Sequence, residues 1–367
     1  MPTFRRRPAL RWLVPLVAAL ALVLGGSAVG VLTAAARGGL PDRTAAQLLV
    51  DVQKARLDGL SGTIVQDADL GLPSLPGIGG SGSSEMSSLV SGSHTLRVWY
   101  AGPDHVRLAL QGSLGESDIV RNRSDLWTWS STTKSATHRT IPVTGSTFPS
   151  SLAEASPLTP QEAAESALEA ISPTTKVSVA GTAVVAGRSA YELLLRPRTS
   201  GSLVSSVRIA IDGTTHVPTR VQVFGSNLDK PAFQVGFTAV DFTRPDASMF
   251  RFNPPPGTKV TTSSDKPSDK PSVGHHRSLG SADRGAAPRV VGKGWTTVVV
   301  AKAPAGATAK SGQDSLQSAL RVLPKASGAW GSGHVLKGTL FSAVLTNNGR
   351  VAVGAVAPSR LYAALGS

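Results

Sequence analysis

Residues 244–260 read RPDASMFRFNPPPGTKV, and this stretch decides how the main folded unit ends. Its residues 245–248 are typical of a turn, and Phe250 and Phe252 then stand two positions apart. In a β-strand that spacing puts both rings on one face, so we expect a short terminal strand that carries them into a core. The three prolines that follow lack the N–H groups of a ladder, so pairing should end there.

The composition is that of a folded protein with more than one unit. The chain has 367 residues, of which 41% are hydrophobic, enough for two domains with real cores. Val, Thr and Ile are frequent, and Gly and Pro interrupt them at short intervals, which favours antiparallel sheet. The absence of cysteine excludes structural disulfides, Cys-ligated zinc, a thiol nucleophile and a cysteine-linked lipid anchor.

The formal net charge of the chain is +14, and its basic residues cluster at the N-terminus. Five positive charges flank an apolar N-terminal segment, namely Arg5, Arg6, Arg7, Arg11 and Arg37. The remaining excess is scattered, with no basic cluster interleaved with aromatic residues and no nucleic-acid motif. The charge therefore favours a solubilising surface near an anionic membrane over nucleic-acid binding, and we expect no nucleic-acid partner.

The apolar N-terminal segment, residues 12–36, predicts either a membrane anchor or a signal peptide. As a helix it would span about 37 Å, enough for a hydrocarbon core of roughly 30 Å. The basic tail, residues 1–11, holds four arginines, so the positive-inside rule places it in the cytoplasm and the rest of the chain outside. Small residues at 25–27 and 34–36 offer the competing cleavage sites. An anchored chain would be a single-pass protein of the cell membrane and a cleaved one would be secreted.

The region from residue 42 to residue 260 predicts one α+β domain. Thr44 with Gln47 and Thr159 with Glu162 have the capping-box pattern and predict two helices, the second through residue 171. Short alternating runs bounded by turn residues predict antiparallel strands. The runs are 60–66, 94–100, 105–111, 116–122, 126–130, 135–141, 176–180, 189–195, 204–211, 218–224 and 232–242. About ten strands with two helices must curl to bury a face, which predicts a strongly curved half-barrel with the helices over its open face.

Three further segments differ in composition from the predicted strands and helices of the main domain or lie outside that domain. Residues 67–93 lack periodicity but keep apolar side chains, including Leu72, Leu75 and Ile78, so they form either a mobile flap over an apolar opening or a disordered insertion. Residues 261–289 are rich in Ser, Lys, Asp, Pro and Gly and predict a flexible linker. Residues 290–367 predict a small α+β module with a strand at 294–301, a helix at 314–323 and a hairpin over 338–357.

The sequence carries no catalytic or metal-binding constellation. The nucleophile-elbow, P-loop and zincin motifs are missing, and the seven histidines are scattered. The pair His275 and His276 stands in the linker without further ligands, so we interpret it as solvated. We therefore expect no enzymatic activity, no cofactor and no metal.

A curled sheet has an inner face, and aromatic residues are the candidates for lining an apolar cavity there. A packed core is the ordinary alternative for each of them. An acyl chain needs no polar chemistry to be held in such a cavity, which fits the missing catalytic motif. The candidates are Trp99, Trp127, Trp129, Phe224, Phe233, Phe237, Phe250 and Phe252.

Several pieces between residues 44 and 260, in the expected order, resemble the periplasmic lipoprotein carriers (LolA-like proteins) and the large domain of RseB-type, or MucB-type, sigma-factor regulators. These pieces are RVWYAGPD at 97–104, SDIV at 117–120 with DLWTW at 125–129, the Asp-Gly turn and strand at 211–221, and DASMFRFNPPPG at 246–257. In the carriers an arginine before the turn proline latches a lid. That position is Gly102 here, so the resemblance leaves the latch to Arg97 or Arg107.

The resemblance implies a half-barrel that binds an acyl chain of a lipid or lipoprotein. The anchor, linker and added module resemble the RseB arrangement more than a soluble carrier. A regulatory protein with a membrane protein partner, such as an anti-sigma factor or a transporter, is therefore the alternative function. A hydrolase acting on the envelope is a third hypothesis, which the missing nucleophile motif disfavours.

Overall fold

The computed structural model describes residues 40–73, 88–89, 91–113, 115–141, 173–263, 288–302, 320 and 322–366. The predicted anchor, the second predicted helix and most of the linker lie outside the described residues, as does most of the helix predicted at 314–323. In the described part of the chain, no helix combines the length and the apolar composition that a membrane span requires.

The described chain forms two sheets and two α-helices. Helix α1 is Ala45–Lys54 and helix α2 is Pro358–Gly366. The large sheet has twelve strands: β1 Leu60–Ala68, β2 Gly92–Tyr100, β3 His105–Gln111, β4 Glu116–Asn122, β5 Asp125–Ser130, β6 Ser135–Thr140, β7 Thr175–Val185, β8 Arg188–Pro197, β9 Val204–Asp212, β10 Pro218–Gly225, β11 Pro231–Asp241 and β12 Lys259–Ser263. The small sheet has six: β13 Arg289–Val291, β14 Val298–Lys302, β15 Lys325–Gly328, β16 Gly331–Lys337, β17 Ser342–Thr346 and β18 Arg350–Gly354.

The capping box predicted for the first helix is present. The Thr44 hydroxyl accepts a hydrogen bond from the Gln47 N–H at 3.2 Å, and the Gln47 side chain accepts one from the Thr44 N–H at 2.9 Å. These bonds satisfy two N–H groups that a helix start leaves without partners. The helix then buries Leu48 against strands β8 and β9 of the large sheet.

The large sheet is curved and almost wholly antiparallel. Its strand order is β12-β6-β5-β4-β3-β2-β1-β11-β10-β9-β8-β7, so β12 and β7 form its two edges and it does not close into a barrel. Ala186, in the turn between β7 and β8, packs against the cluster of Leu60, Ile64 and Phe237 on β1 and β11. Because β7 is four places from β11 in the strand order, this contact requires the sheet to bend. The predicted large curved sheet is confirmed.

The terminal stretch at 244–260 differs from its prediction. Residues Ala247–Phe250 form a 3₁₀ helix because the Asp246 side chain accepts a hydrogen bond from the Ser248 N–H at 2.8 Å and so caps a helical turn. The predicted terminal strand at Phe250 and Phe252 is therefore wrong. The prediction that the prolines end all pairing is also wrong, because β12 follows them and pairs with β6 in parallel.

The small sheet is packed on one face by helix α2. Leu361 and Leu365 of this helix lie in a core with Val298, Val335 and Val344. The first predicted strand of the module begins later than expected, because Gly294–Thr296 is a 3₁₀ helix. The predicted hairpin turn at Asn348 and Gly349 is present between β17 and β18, whereas β13, β15, β16 and α2 were not predicted.

Asp212 is a buried carboxylate with a full set of partners at the end of β9. Its side chain is 1% exposed and accepts hydrogen bonds from Arg188 Nε at 2.6 Å and from the N–H groups of Thr215 at 2.7 Å and Thr214 at 3.1 Å. Burial alone would raise the pKa of Asp212, but the bonds from Arg188, Thr215 and Thr214 outweigh it and hold the pKa below its usual value.

Phe250 closes the core beneath the terminal stretch, so its removal should be costly. The side chain is 1% exposed, and its ring lies edge-on to His105 with centroids 5.6 Å apart. We expect Phe250→Ala to lower the free energy of unfolding by about 3 to 5 kcal/mol, measured by urea denaturation. Met249→Ala is the control, because Met249 is 39% exposed. Equal effects of the two substitutions would contradict this packing.

Asp212→Asn should destabilise the fold in a pH-dependent way. The pKa of Asp212 is lowered in the folded state, so the carboxylate stabilises the fold above its unfolded pKa, and this contribution is lost as the pH falls through the folded value. We expect a loss of about 2 kcal/mol at pH 7, since Arg188 is partly exposed, and a smaller loss below a pH of about 4. Denaturation of both proteins across this range, with Asp229→Asn as an exposed control, measures it. A loss that does not change with pH would refute the assignment.

Candidate functional site

The strand register divides the large sheet into two faces. We define the inner face as the one on which α1 packs, through Tyr191, Leu193 and Ile211. Directly paired residues of neighbouring strands share a face, so the inner face continues across the sheet. It carries Ile209, Val221, Val235, Gln66 and His94 in one row from β9 to β2.

One part of the inner face is filled by the small sheet. Leu340, between β16 and β17, is 9% exposed and lies in a core with Phe233, Val235 and Val221 of the large sheet. Three further bonds fasten the two sheets: the Leu203 N–H donates to the Ala355 carbonyl, the Thr339 N–H to the Leu70 carbonyl, and Trp295 Nε1 to the Thr175 hydroxyl. The inner face of β9 to β11 is thus occupied by the protein itself.

A buried polar layer borders this filled part. Gln66 and His94 are 3% and 2% exposed, and they face each other across β1 and β2. Gln66 Nε2 donates to the Leu89 carbonyl at 2.6 Å. His94 Nε2 lies 2.8 Å from the Ser91 carbonyl, which can only accept, so this nitrogen carries the proton. The layer attaches Leu89 and Ser91 to the sheet and separates two apolar clusters.

The inner face beyond this layer carries five aliphatic side chains and one tyrosine that are only half-buried. We call this set the inner apolar surface; it consists of Val98, Tyr100, Val106, Leu108, Ile119 and Leu126. It continues the buried cluster of Leu96, Leu110 and Ile64. Burial raises the pKa of the Tyr100 hydroxyl, so Tyr100 is neutral at physiological pH. An apolar chain laid on this surface would gain by covering it.

The eight aromatic candidates are divided between different environments. Phe233 and Phe237 lie on the inner face, in the core with Leu340 and in the cluster with Ile64. The register places Trp99, Trp127, Trp129 and Phe224 on the opposite, outer face. Phe250 and Phe252 lie there too: Phe252 packs against the rings of Trp127 and Trp129 at centroid distances of 5.3 and 6.2 Å. The candidates therefore do not line one cavity together.

The flap and latch candidates are also dispersed. Leu72 lies beside Gly338 of the small sheet, while Leu75 and Ile78 lie outside the described residues. Arg107 is on the outer face, where its Nη2 bonds Asp118 Oδ2 at 2.5 Å and its guanidinium stacks over Trp99. Arg97 stacks over the same ring. Both arginines are thus on the face opposite to the inner apolar surface.

Asp118 also affects its neighbour on the outer face of β4. Burial makes the largest contribution and the charge of Asp118 the next largest to raising the pKa of Glu116. The charges of Arg107 and Arg97 act in the opposite direction.

In the described part of the chain, no group of three or more His, Asp or Glu residues could hold a metal ion.

None of the six residues of the inner apolar surface was predicted, since the predicted cavity residues were all Trp or Phe and five of these six are aliphatic. Val98, Leu108 and Ile119 are ordinary strand residues, and only the register shows that they share a face. The available signal was the alternation in β3, where Val106, Leu108 and Leu110 recur at every second position.

No protein-family model matches the chain, and no curated protein matches it. Among solved structures, the MucA/MucB complex of Pseudomonas aeruginosa is similar over 88% of this chain and 96% of that chain, with 16% identity and a TM-score of 0.44. A LolA superfamily protein from Nitrosomonas europaea is similar over 57% of this chain and 99% of its own, with 10% identity and a TM-score of 0.19.

The lipoprotein LppX of Mycobacterium tuberculosis is similar over 52% of this chain and 88% of its own, with 13% identity and a TM-score of 0.24. At 10 to 16% identity, these likenesses are distant. The solved structures that the chain is similar to include LolA-type and MucB-type proteins, the two kinds that its sequence resembles.

Proposed function

We propose that the chain is an extracytoplasmic protein that binds an acyl chain of a lipid or lipoprotein on the inner apolar surface. The observation that carries the proposal is the set of six half-buried apolar side chains on one face of β2 to β5. Apolar side chains in this number favour an occupant that removes them from water. The sequence resemblance to LolA-like carriers supports the same ligand class.

The free energy gained by burying an acyl chain is large enough for binding. Burial of an acyl chain of about 16 carbons contributes on the order of 10 kcal/mol at about 0.8 kcal/mol per methylene. Immobilising the ligand costs several kcal/mol, which leaves roughly 5 to 8 kcal/mol and a dissociation constant in the micromolar range. The ligand needs no catalytic group, and none is proposed.

A second candidate function is regulatory binding of a membrane protein such as an anti-sigma factor. The contact between the small sheet and the large sheet favours this regulatory function. In the family that the sequence resembles, an added domain is the mark of RseB-type regulators. The two functions differ in what the inner apolar surface holds, and ligand uptake distinguishes them.

Filling the inner apolar surface should weaken ligand uptake. We expect Leu108→Trp and Ile119→Trp to lower the affinity for a fluorescent fatty acid by about tenfold or more, because the added rings occupy the space of the chain. The measurement is titration of the delipidated full-length protein held in amphipol. Val65→Trp is the matched control, because the register puts Val65 on the outer face of the adjacent strand β1.

Circular dichroism melting shows whether each variant is folded. No uptake by the folded wild-type protein, together with no lipid in the native preparation by mass spectrometry, would defeat the carrier proposal and leave the regulatory one. Equal loss in Val65→Trp would show that the inner face is not the site.

We further propose that residues 12–36 anchor the chain in the cell membrane, with its body outside the cytoplasm. Their lack of charge and the four preceding arginines support this orientation. A C-terminal alkaline phosphatase fusion should be active and sediment with membranes, whereas a fusion released in soluble form would indicate cleavage. An inactive phosphatase fusion with an active cytoplasmic reporter would contradict the orientation.

A further inference from the structure

The small sheet lies at one end of the strands of the large sheet. At the start of β9 the Leu203 N–H donates to the Ala355 carbonyl, and beyond the end of β1 the Thr339 N–H donates to the Leu70 carbonyl. Strands β1 and β9 have nine residues each and are therefore about 27 Å long. Because three antiparallel pairings separate β9 from β1, the end of β9 and the start of β1 both lie on the side remote from the small sheet.

The described chain begins on this remote side. Leu40 packs at the turn after β9, where a Cβ on Gly213 would lie only 2.3 Å from Leu40 Cδ2. The Tyr191 hydroxyl donates a hydrogen bond to the Pro41 carbonyl at 2.7 Å. Residues 40 and 41 are therefore fixed to the end of the large sheet that is opposite to the small sheet.

The proposed anchor ends close to this point. The uncharged segment ends at residue 36, and Leu40 follows four positions later. Four residues span at most about 14 Å when they are fully extended. With residues 12–36 in the membrane, the end of the large sheet at Leu40 and Gly213 is the end nearest the membrane, and the small sheet is the far end.

The inner apolar surface begins at the same end. Tyr100 is the last residue of β2 and pairs with Leu60, the first residue of β1. Val106 pairs with Tyr100, and Leu126 follows in the same row across β4. This row thus lies at the start of β1, opposite to Leu70 and the small sheet. We call this end of the large sheet the open end.

Burial along the strands shows from which side the inner apolar surface can be reached. In β2 the inner side chains of Tyr100 and Val98 are half-buried, and the next one, Leu96, is 2% exposed. The same change occurs in β3, from the half-buried Val106 to Leu110, which is 0% exposed. The surface is therefore closed toward the middle of the sheet and accessible from the open end.

We propose that the open end faces the outer leaflet of the membrane that anchors the chain, and that the inner apolar surface takes its acyl chain directly from this bilayer. This inference rests on the proposed function, including the anchor, and adds the source of the ligand. Every methylene that passes through water raises the barrier to transfer. An apolar surface that begins beside the bilayer shortens this passage.

Fluorescent labels at the two ends test the orientation. The chain has no cysteine, so one introduced cysteine carries the label. Pro103→Cys lies in the exposed turn between β2 and β3 at the open end, and Ala329→Cys lies in the exposed turn between β15 and β16. The latter turn is separated from Leu340, and so from the large sheet, by the whole length of β16.

The labelled full-length proteins are reconstituted in phosphatidylcholine vesicles that contain a nitroxide on the lipid head group. We expect the nitroxide to quench the label at position 103 several-fold more than the label at position 329, because such quenching acts only at short range. Equal quenching of the two labels, or stronger quenching at position 329, would contradict the orientation.

Transfer rates test the source of the ligand. Pyrene-labelled diacylglycerol is placed either in the bilayer that holds the protein or in separate vesicles without protein, at equal total lipid. We expect uptake from the protein's own bilayer to be at least about tenfold faster, because fewer methylenes cross water. The measurement is the loss of pyrene excimer fluorescence with time.

A longer tether separates the effect of position from that of affinity. Insertion of about 20 Gly and Ser residues after residue 38 adds a reach of roughly 25 Å. It should reduce both the difference in quenching and the rate advantage of the protein's own bilayer. The same insertion after residue 270, in the predicted linker, is the matched control and should change neither. Both variants should bind fatty acid in amphipol with unchanged affinity.

The outcomes separate this inference from the proposed function. Equal rates from the two sources, with binding in amphipol intact, would overturn direct uptake from the bilayer while acyl binding stands. A lack of binding in amphipol would show that acyl binding itself is wrong. Release of the wild-type protein in soluble form would show that the anchor, and this inference with it, is wrong.

Discussion

The structure depends on which face of each strand is apolar, and this face changes within the large sheet. From β1 to β3 the large buried aliphatic residues, such as Ile64, Leu96 and Leu110, point to the inner face, whereas the buried Val120 on β4 points to the outer face. On β5 and β6 the inner face carries Thr128 and Thr137, and the outer face carries Trp127 and Trp129. The apolar side of a strand must be covered by other residues. The inner face of β1 to β3 and the outer face of β5 and β6 therefore each need residues packed against them.

The terminal stretch supplies the outer cover. After the turn at Asp246, Phe250 and Phe252 lie over β3 to β5 on the outer face, and β12 extends the sheet beside β6. Val120 and Ala136, which the register puts on this face, are each no more than 2% exposed. Trp127 and Trp129 are therefore part of a packed outer layer, and the inner face carries mostly aliphatic residues together with Phe233, Phe237 and Tyr100.

Local signals in the sequence predicted local structure well. The capping box at Thr44 and Gln47, the runs that became β1 to β11, and the turn at Asn348 all depend on residues within a few positions of one another. The assignment of faces depends on pairing between distant strands, so the sequence could not show that Trp127 and Phe237 lie on opposite sides. Phe250 and Phe252 were misassigned because the capping side chain of Asp246 outweighed their strand propensity.

The same limit explains why the contact between the sheets was not foreseen. Leu340 stands in a short loop without periodicity, and its burial depends on the inner residues Val221, Val235 and Phe233, more than 100 positions away. This contact fills the inner face of β9 to β11 and leaves the inner face of β2 to β5 half-covered. In the described part of the chain, the two regions adjoin at β1 and β2, where Gln66 and His94 are both buried and donate hydrogen bonds to the carbonyls of Leu89 and Ser91. Because a buried polar group is costly without a hydrogen-bond partner, this boundary depends on Leu89 and Ser91 staying beside the sheet.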